Sequence, residues 1–388
     1  MKTLKYSESF VWLVSILTFG IIAVLAGSTW AETPKEIRIG ATVSMSGKFS
    51  TEVGPFKQLM DAYAAEINGQ GGIYVKAAGS RLPIRFIVYD DKSDGPTARK
   101  FYERLISVDK ADILLGPYSS PVTFAASIAA EENKVPFIAI CANSHKIYNR
   151  GFQWVVCVID KAPLYTHRYW DMIEAEGQAK TVAFVVEDTL HPKGVYRGAK
   201  KLSETAGLKE VLLKVLPADT HDFTAAIVKI QETSPDIVFV SANVPFSIAF
   251  MRQARELDLN PKEFHVIHHG GVFKKGLGPG AEGVVGQSYW TQGMDYGHPE
   301  RFVAVMERSG ISLDDFPWAP AYMMAFEVAT QAIERAGSLD KKKLMPTLKK
   351  LKVMTINSYP SQIINGKYHI IWPSQIATAP HRYPGTRN

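Results

Sequence analysis

Two adjacent hydroxyls, Ser119 and Ser120, follow a Gly116-Pro117-Tyr118 turn, and a second apolar run nearby ends in Ala142-Asn143-Ser144. The first turn lies between an expected buried strand, Ile113–Leu115, and an expected helix, Thr123–Asn133; the strand Phe137–Ile140 completes a βαβ unit. At the amino end of a helix the first N–H groups lack internal partners and carry part of the helix dipole, so a carboxylate or similar small anion is well matched there. Hydroxyls beside those amides add donors, and the Asn143 loop adds more from the next strand. The same serines can equally be helix caps that serve no ligand.

Other chemistry-bearing patterns carry less. Gly278-Pro-Gly280-Ala-Glu-Gly283 has the spacing of a dinucleotide fingerprint but follows no clear strand and contains Pro, so it reads as a loop. His268 and His269 are neighbours on an expected strand and point to opposite faces, which suits them poorly for one metal ion. Cys141 and Cys157 are either a disulfide or two buried free thiols. No Gly-x-Ser-x-Gly elbow and no P-loop occurs. The expectation is a protein without catalytic residues, metal or cofactor. The loop Glu187-Asp-Thr-Leu-His191-Pro follows a strand's carboxyl end, so His191 is either a ligand contact or a surface residue. Trp154, Trp170, Trp290 and Trp318 are read as core or hinge packing.

The elements that must hold these residues alternate. Strands are expected at Ile37–Val43, Leu82–Tyr89 and Phe152–Ile159, with helices at 55–68 and 96–108 between them, the first stopped by Gly69-Gln70-Gly71-Gly72. From Pro163 a second alternating series begins: strands at Thr181–Val186, Leu212–Leu216, Asp236–Val240 and His265–His268, and helices at Gly194–Ala206, Phe223–Glu232 and Ser247–Leu257. Val284–Trp290, the amphipathic helix Ala319–Ala336 and β-like runs between Thr355 and Ile376 around Gly366-Lys367 follow. Such alternation implies parallel, doubly wound sheets in two lobes.

The chain has 388 residues and a formal net charge of +6, enough length for two domains. Lys2 and Lys5, an apolar run Phe10–Ala26 and small residues at Thr29 and Ala31 form a secretory leader cleaved after Ala31; an uncleaved anchor is the alternative. The clusters Lys341–Lys343 and Lys349–Lys352 flank Leu344, Leu348 and Leu351 at helical spacing. With no aromatic interleaving they read as a solvated helix face, and nucleic acid is not an expected partner.

The order of several phrases resembles a known family. Ile39-Gly-Ala-Thr-Val-Ser-Met-Ser-Gly, Glu66-Ile-Asn-Gly-Gln-Gly-Gly-Ile, Asp90-Asp91, Gly116-Pro-Tyr-Ser-Ser and Val135-Pro-Phe-Ile are similar to the periplasmic branched-chain amino-acid-binding proteins of ABC importers. Pro235-Asp-Ile-Val-Phe-Val and Met251-Arg-Gln-Ala-Arg-Glu-Leu agree, and the resemblance spans nearly all of residues 36–376. It implies two Rossmann-like lobes, 36–158 with 290–352 and 159–289 with 353–388, joined by three hinge crossings. It also implies a monomeric, non-catalytic periplasmic receptor that closes on a solute and meets an inner-membrane ABC permease. Carried onto this chain, Ser46 and Phe49 lie over the ligand, Ser119 and Ser120 hold its carboxylate, Ala142 and Asn143 add contacts, and His191 and Asn243 come from the second lobe. One departure stands out: Gly270 occupies the position where an acidic residue usually pairs with the ligand's ammonium. Either Glu187 or Asp188 replaces it, or the solute is a carboxylic acid without an ammonium, such as a benzoate-like compound, rather than leucine or a relative.

Overall fold

Apolar runs bounded by turns become strands buried on both faces, as a parallel sheet covered by helices requires. A computed structural model of the chain describes residues 34–294, 299–312, 314–351 and 357–385; the expected leader, residues 1–31, lies outside them. The strands are β1 (Ile37–Val43), β2 (Ile73–Val75), β3 (Ser80–Leu82), β4 (Ile84–Asp90), β5 (Ile113–Leu115), β6 (Phe137–Ala139) and β7 (Val155–Cys157). They continue as β8 (Thr181–Glu187), β9 (Lys209–Leu216), β10 (Ile237–Ser241), β11 (Glu263–Val266), β12 (Val285–Ser288), β13 (Tyr359–Ile364) and β14 (Lys367–Ile370).

The first sheet has the order β4-β1-β5-β6-β7 and every pairing in it is parallel. In the second the order is β14-β13-β12-β11-β10-β8-β9; β13 and β14 are antiparallel additions at one edge. The order in which strands are added to the parallel part of each sheet reverses once, between β1 and β5 in the first and between β8 and β10 in the second. Doubly wound sheets form their ligand crevice beside the carboxyl ends of strands at such a switch point.

The helix Ala319–Ala336 packs on the first sheet although it follows the second sheet's strands. Its Tyr322 meets Phe56 edge to face at 4.3 Å, and Phe326 lies 5.2 Å from both Tyr63 and Phe86; each such pair adds about 0.5–1.5 kcal/mol beyond its buried area. The Arg301 guanidinium then ties Glu66 to Glu327, both at 2.6 Å. The chain therefore crosses between the sheets three times: after β7, after β12, and between the helix Lys341–Lys350 and β13.

Several boundaries differ from expectation. Helices expected from Thr123, Gly194 and Ser247 begin at Ser120, Leu190 and Val244. Each carries a proline in its first turn, Pro121, Pro192 or Pro245, where the missing N–H breaks no helical bond. The strand expected at Leu82–Tyr89 is divided at Pro83, whose carbonyl accepts from Ile37 N–H at 2.8 Å. The strand expected at His265–His268 ends at Val266, so His268 belongs to the loop beyond it. The β13–β14 connection is Asn365-Gly366, both at positive φ (52° and 70°), as a two-residue hairpin turn demands. Cys141 and Cys157 are free thiols, and Cys157 donates to Ile159 O at 3.3 Å.

Candidate functional site

The loop after β5 is held by two bonds from Thr123: its hydroxyl donates to Pro117 O at 3.0 Å and its N–H to Ser119 O at 3.1 Å. The result is an unusual backbone at Ser119, φ 76° and ψ 143°, close to a region that side chains other than glycine occupy at a cost of about 1–3 kcal/mol. Its hydroxyl makes no capping bond and is buried without a partner among the described residues. Ser120 Oγ accepts from Ser144 N–H at 3.2 Å, joining the β5 and β6 loops and keeping its own proton free to be donated.

The loop after β6 places Asn143 on the other side. Asn143 Nδ2 donates to Asp160 O at 2.8 Å, and Oδ1 lies 2.6 Å from His191 Nδ1. The latter contact runs from the first sheet's strand end to the first turn of the helix after β8, and so bridges the two lobes. His191 stacks on His268 with ring centroids 5.0 Å apart and an interplanar angle of 4°; Tyr165 meets both edge-on. Burial pushes His191 down to about 4 and His268 well below its usual range, the latter also disfavoured by His191 and His269. Both rings are therefore neutral at pH 7.

These strand-end loops line a cavity of about 40 Å³. Phe49, Tyr118 and Trp318 form its first-lobe wall, with Tyr165, Tyr289, His191 and His268 opposite. Lys48 lies at its rim, 5.0 Å from the Phe49 ring centre. Among the described residues, no Asp or Glu lines it.

Of the residues expected from the sequence, Phe49, Ser119, Ser120, Asn143, His191 and Asn243 line this cavity together. Three do not. Ser46 is exposed and binds the Asp90 carboxylate through both N–H (3.2 Å) and hydroxyl (2.6 Å). Ala142 is buried away from the cavity, its carbonyl accepting from Tyr148 OH. Gly270 is packed beneath the 315–317 segment, where an added Cβ would sit 2.9 Å from Pro317 Cδ. The position has no room for an acidic side chain. Gly270→Ala should lower unfolding stability by about 1–3 kcal/mol, read from a urea midpoint; an unchanged midpoint would mean that the segment yields freely.

The carboxylates considered as substitutes are engaged elsewhere. Glu187 accepts from Asn243 N–H (2.7 Å) and Nδ2 (2.8 Å), and Asp188 pairs with Lys193. Sequence reasoning passed over Tyr118, Thr189 and Tyr289, weighed His268 only as a metal ligand, and read Trp318 as packing. Four of these immediately follow strands or abut the serine pair, so a search of every strand's carboxyl end would have found them. Trp318 is a lining residue because the helix it precedes crosses back to the first sheet.

Residues 36–376 match a family model described as periplasmic binding protein. The Leu/Ile/Val-binding protein homolog 7 of Brucella suis is 24% identical over 277 residues, 69% of this chain and 66% of its own length, so the chain spans just under two thirds of that relative. The substrate-binding protein LivJ of Streptococcus pneumoniae, solved in complex with isoleucine, superposes with a TM-score of 0.73 at 18% identity, covering 86% of this chain and 98% of its own. A solute-binding protein of an R. palustris ABC transporter, solved in complex with benzoate, superposes with a TM-score of 0.72 at 19% identity, covering 89% and 97%.

Proposed function

The chain belongs to the periplasmic binding protein family, and we propose that it captures an aromatic carboxylate lacking an ammonium group in the periplasm and presents it to an ABC permease. The fold holds isoleucine in one relative and benzoate in another, so the fold alone does not choose between them. The lining of the cavity favours the second. A buried ammonium needs a carboxylate beside it, whereas the lining here is aromatic, with neutral imidazoles and Lys48. The single observation that carries the reading is this absence of an acidic lining residue among the described residues.

In this reading the carboxylate meets Ser119 Oγ and the first amides of the helix Ser120–Asn133, and the ring lies among Phe49, Tyr118, Tyr165 and Trp318. The hinge crossings let the lobes part, and a solute that binds the closed form better draws them together. A thermal-shift screen tests the assignment. Benzoate-class acids at about a hundred times Kd should raise Tm by on the order of 5 °C, with leucine, isoleucine and valine without effect. Stabilisation by the amino acids alone would refute it.

The imidazoles give this closure a pH dependence. An open, solvated histidine titrates near 6.5, while His191 buried between the lobes as here titrates at about 4. Below pH 6.5 the open form therefore binds more protons than the closed one, and closure weakens. Affinity should be flat above about pH 7 and fall between 6.5 and 5 by up to about tenfold per pH unit for each imidazole. Titration calorimetry across that range reads the slope; a constant Kd would mean that neither ring is desolvated on closure.

A further inference from the structure

We infer that the solute carries a hydroxyl on its ring and donates it to His191 Nε2, an inference that rests on the aromatic-carboxylate reading. Asn143 fixes the chemistry of this nitrogen. Because Asn143 Nδ2 donates to Asp160 O at 2.8 Å, the group facing His191 is Oδ1, which only accepts. The atom 2.6 Å from it, His191 Nδ1, must carry the ring proton. His191 Nε2 is then a bare lone pair.

That lone pair is buried and has no partner among the described residues, on a side chain that lines the cavity. The ring cannot turn to relieve it. Asn143 anchors one edge, His268 stacks on one face at 5.0 Å, and Tyr165 meets it edge-on at 5.4 Å. A buried acceptor left unpaired weakens any complex that covers it. A carboxylate oxygen cannot satisfy it, because two acceptors repel. An ammonium could donate, but the cavity provides no negative partner to accompany it. A ring hydroxyl is a neutral donor of the right polarity, and the carboxylate remains with Ser119.

The test compares ligands first and so needs no variant that folds. Titration calorimetry measures benzoate, its three monohydroxy isomers and their methoxy ethers against the purified protein. The inference predicts that at least one hydroxybenzoate binds ten-fold or more tighter than benzoate, and that its methoxy ether loses the gain because it has no proton to donate. In His191→Phe the ratio of hydroxybenzoate to benzoate affinity should fall to about one. Benzoate binding as tightly as every hydroxy isomer would overturn the hydroxyl inference and leave the aromatic-carboxylate reading standing. Failure of all these acids to bind would overturn both.

Discussion

Replacing Ser119 and Ser120 together by alanine should weaken carboxylate binding by about 10²–10⁴-fold while the chain still folds. Hydrogen bonds to a charged group contribute about 1.5–3 kcal/mol each, and the two hydroxyls flank the amino end of the helix Ser120–Asn133, where the dipole also favours a negative charge. Ser119 Oγ has no partner in the described residues, so its loss removes nothing from the fold. Ser120 Oγ accepts from Ser144 N–H, so the double variant also gives up one contact between the β5 and β6 loops and about 1 kcal/mol of stability. Calorimetry for affinity and scanning calorimetry for Tm separate the two effects. Wild-type affinity in the double variant would move the carboxylate away from this helix.

The second large effect lies far from the cavity. His381, in the segment after β14, places Nδ1 2.9 Å from Glu176 Oε2 and Nε2 2.7 Å from Glu263 Oε2, and Glu263 also accepts from Tyr169 OH. Burial opposes the imidazolium, but its bonds to Glu176 and Glu263 outweigh that and raise it to about 9. Glu263 is fully buried. Glu263→Gln removes one half of the clamp around a buried cation and should cost about 3–5 kcal/mol.

The sign of the accompanying pH effect follows from the raised pKa. The contribution is complete below the unfolded value near 6.5 and is lost as pH rises through about 9. Wild-type urea midpoints should therefore fall between pH 7 and 10, and the variant should start lower and change less. Parallel pH profiles for the two proteins would show that His381 is not the titrating group.

The two doubly wound sheets were legible because their strands are nearly uninterrupted apolar runs, and that pattern survives any uncertainty in boundaries. The serine pair was legible because Gly116-Pro117 announces a turn between a strand and a helix. Proline misled the reading at three helix starts, where Pro121, Pro192 and Pro245 mark the first turn rather than the end of the preceding loop. That error of a few residues hid the fact that His191 and Ser120 already sit within helices.

His268 was misread for a related reason. The apolar run before it continues past the last paired residue, and only strand pairing, absent from a single sequence, reveals that β11 stops at Val266. Ser46, Ala142 and Gly270 were carried over by resemblance, and local contacts explain their absence from the lining. Asp90 holds Ser46 at the surface, the Ala142 carbonyl serves Tyr148, and Pro317 covers Gly270. Trp318 needed tertiary information, since its helix returns to the first sheet from a distant part of the chain.

The most direct measurement is a crystal structure of the chain grown with benzoate. The account predicts the ring in the cavity between the lobes, one carboxylate oxygen within about 2.7–3.0 Å of Ser119 Oγ, and no acidic side chain against the ligand. A carboxylate bound at the Lys48 rim with Ser119 Oγ still unpartnered, or no ligand between the lobes at all, would contradict it.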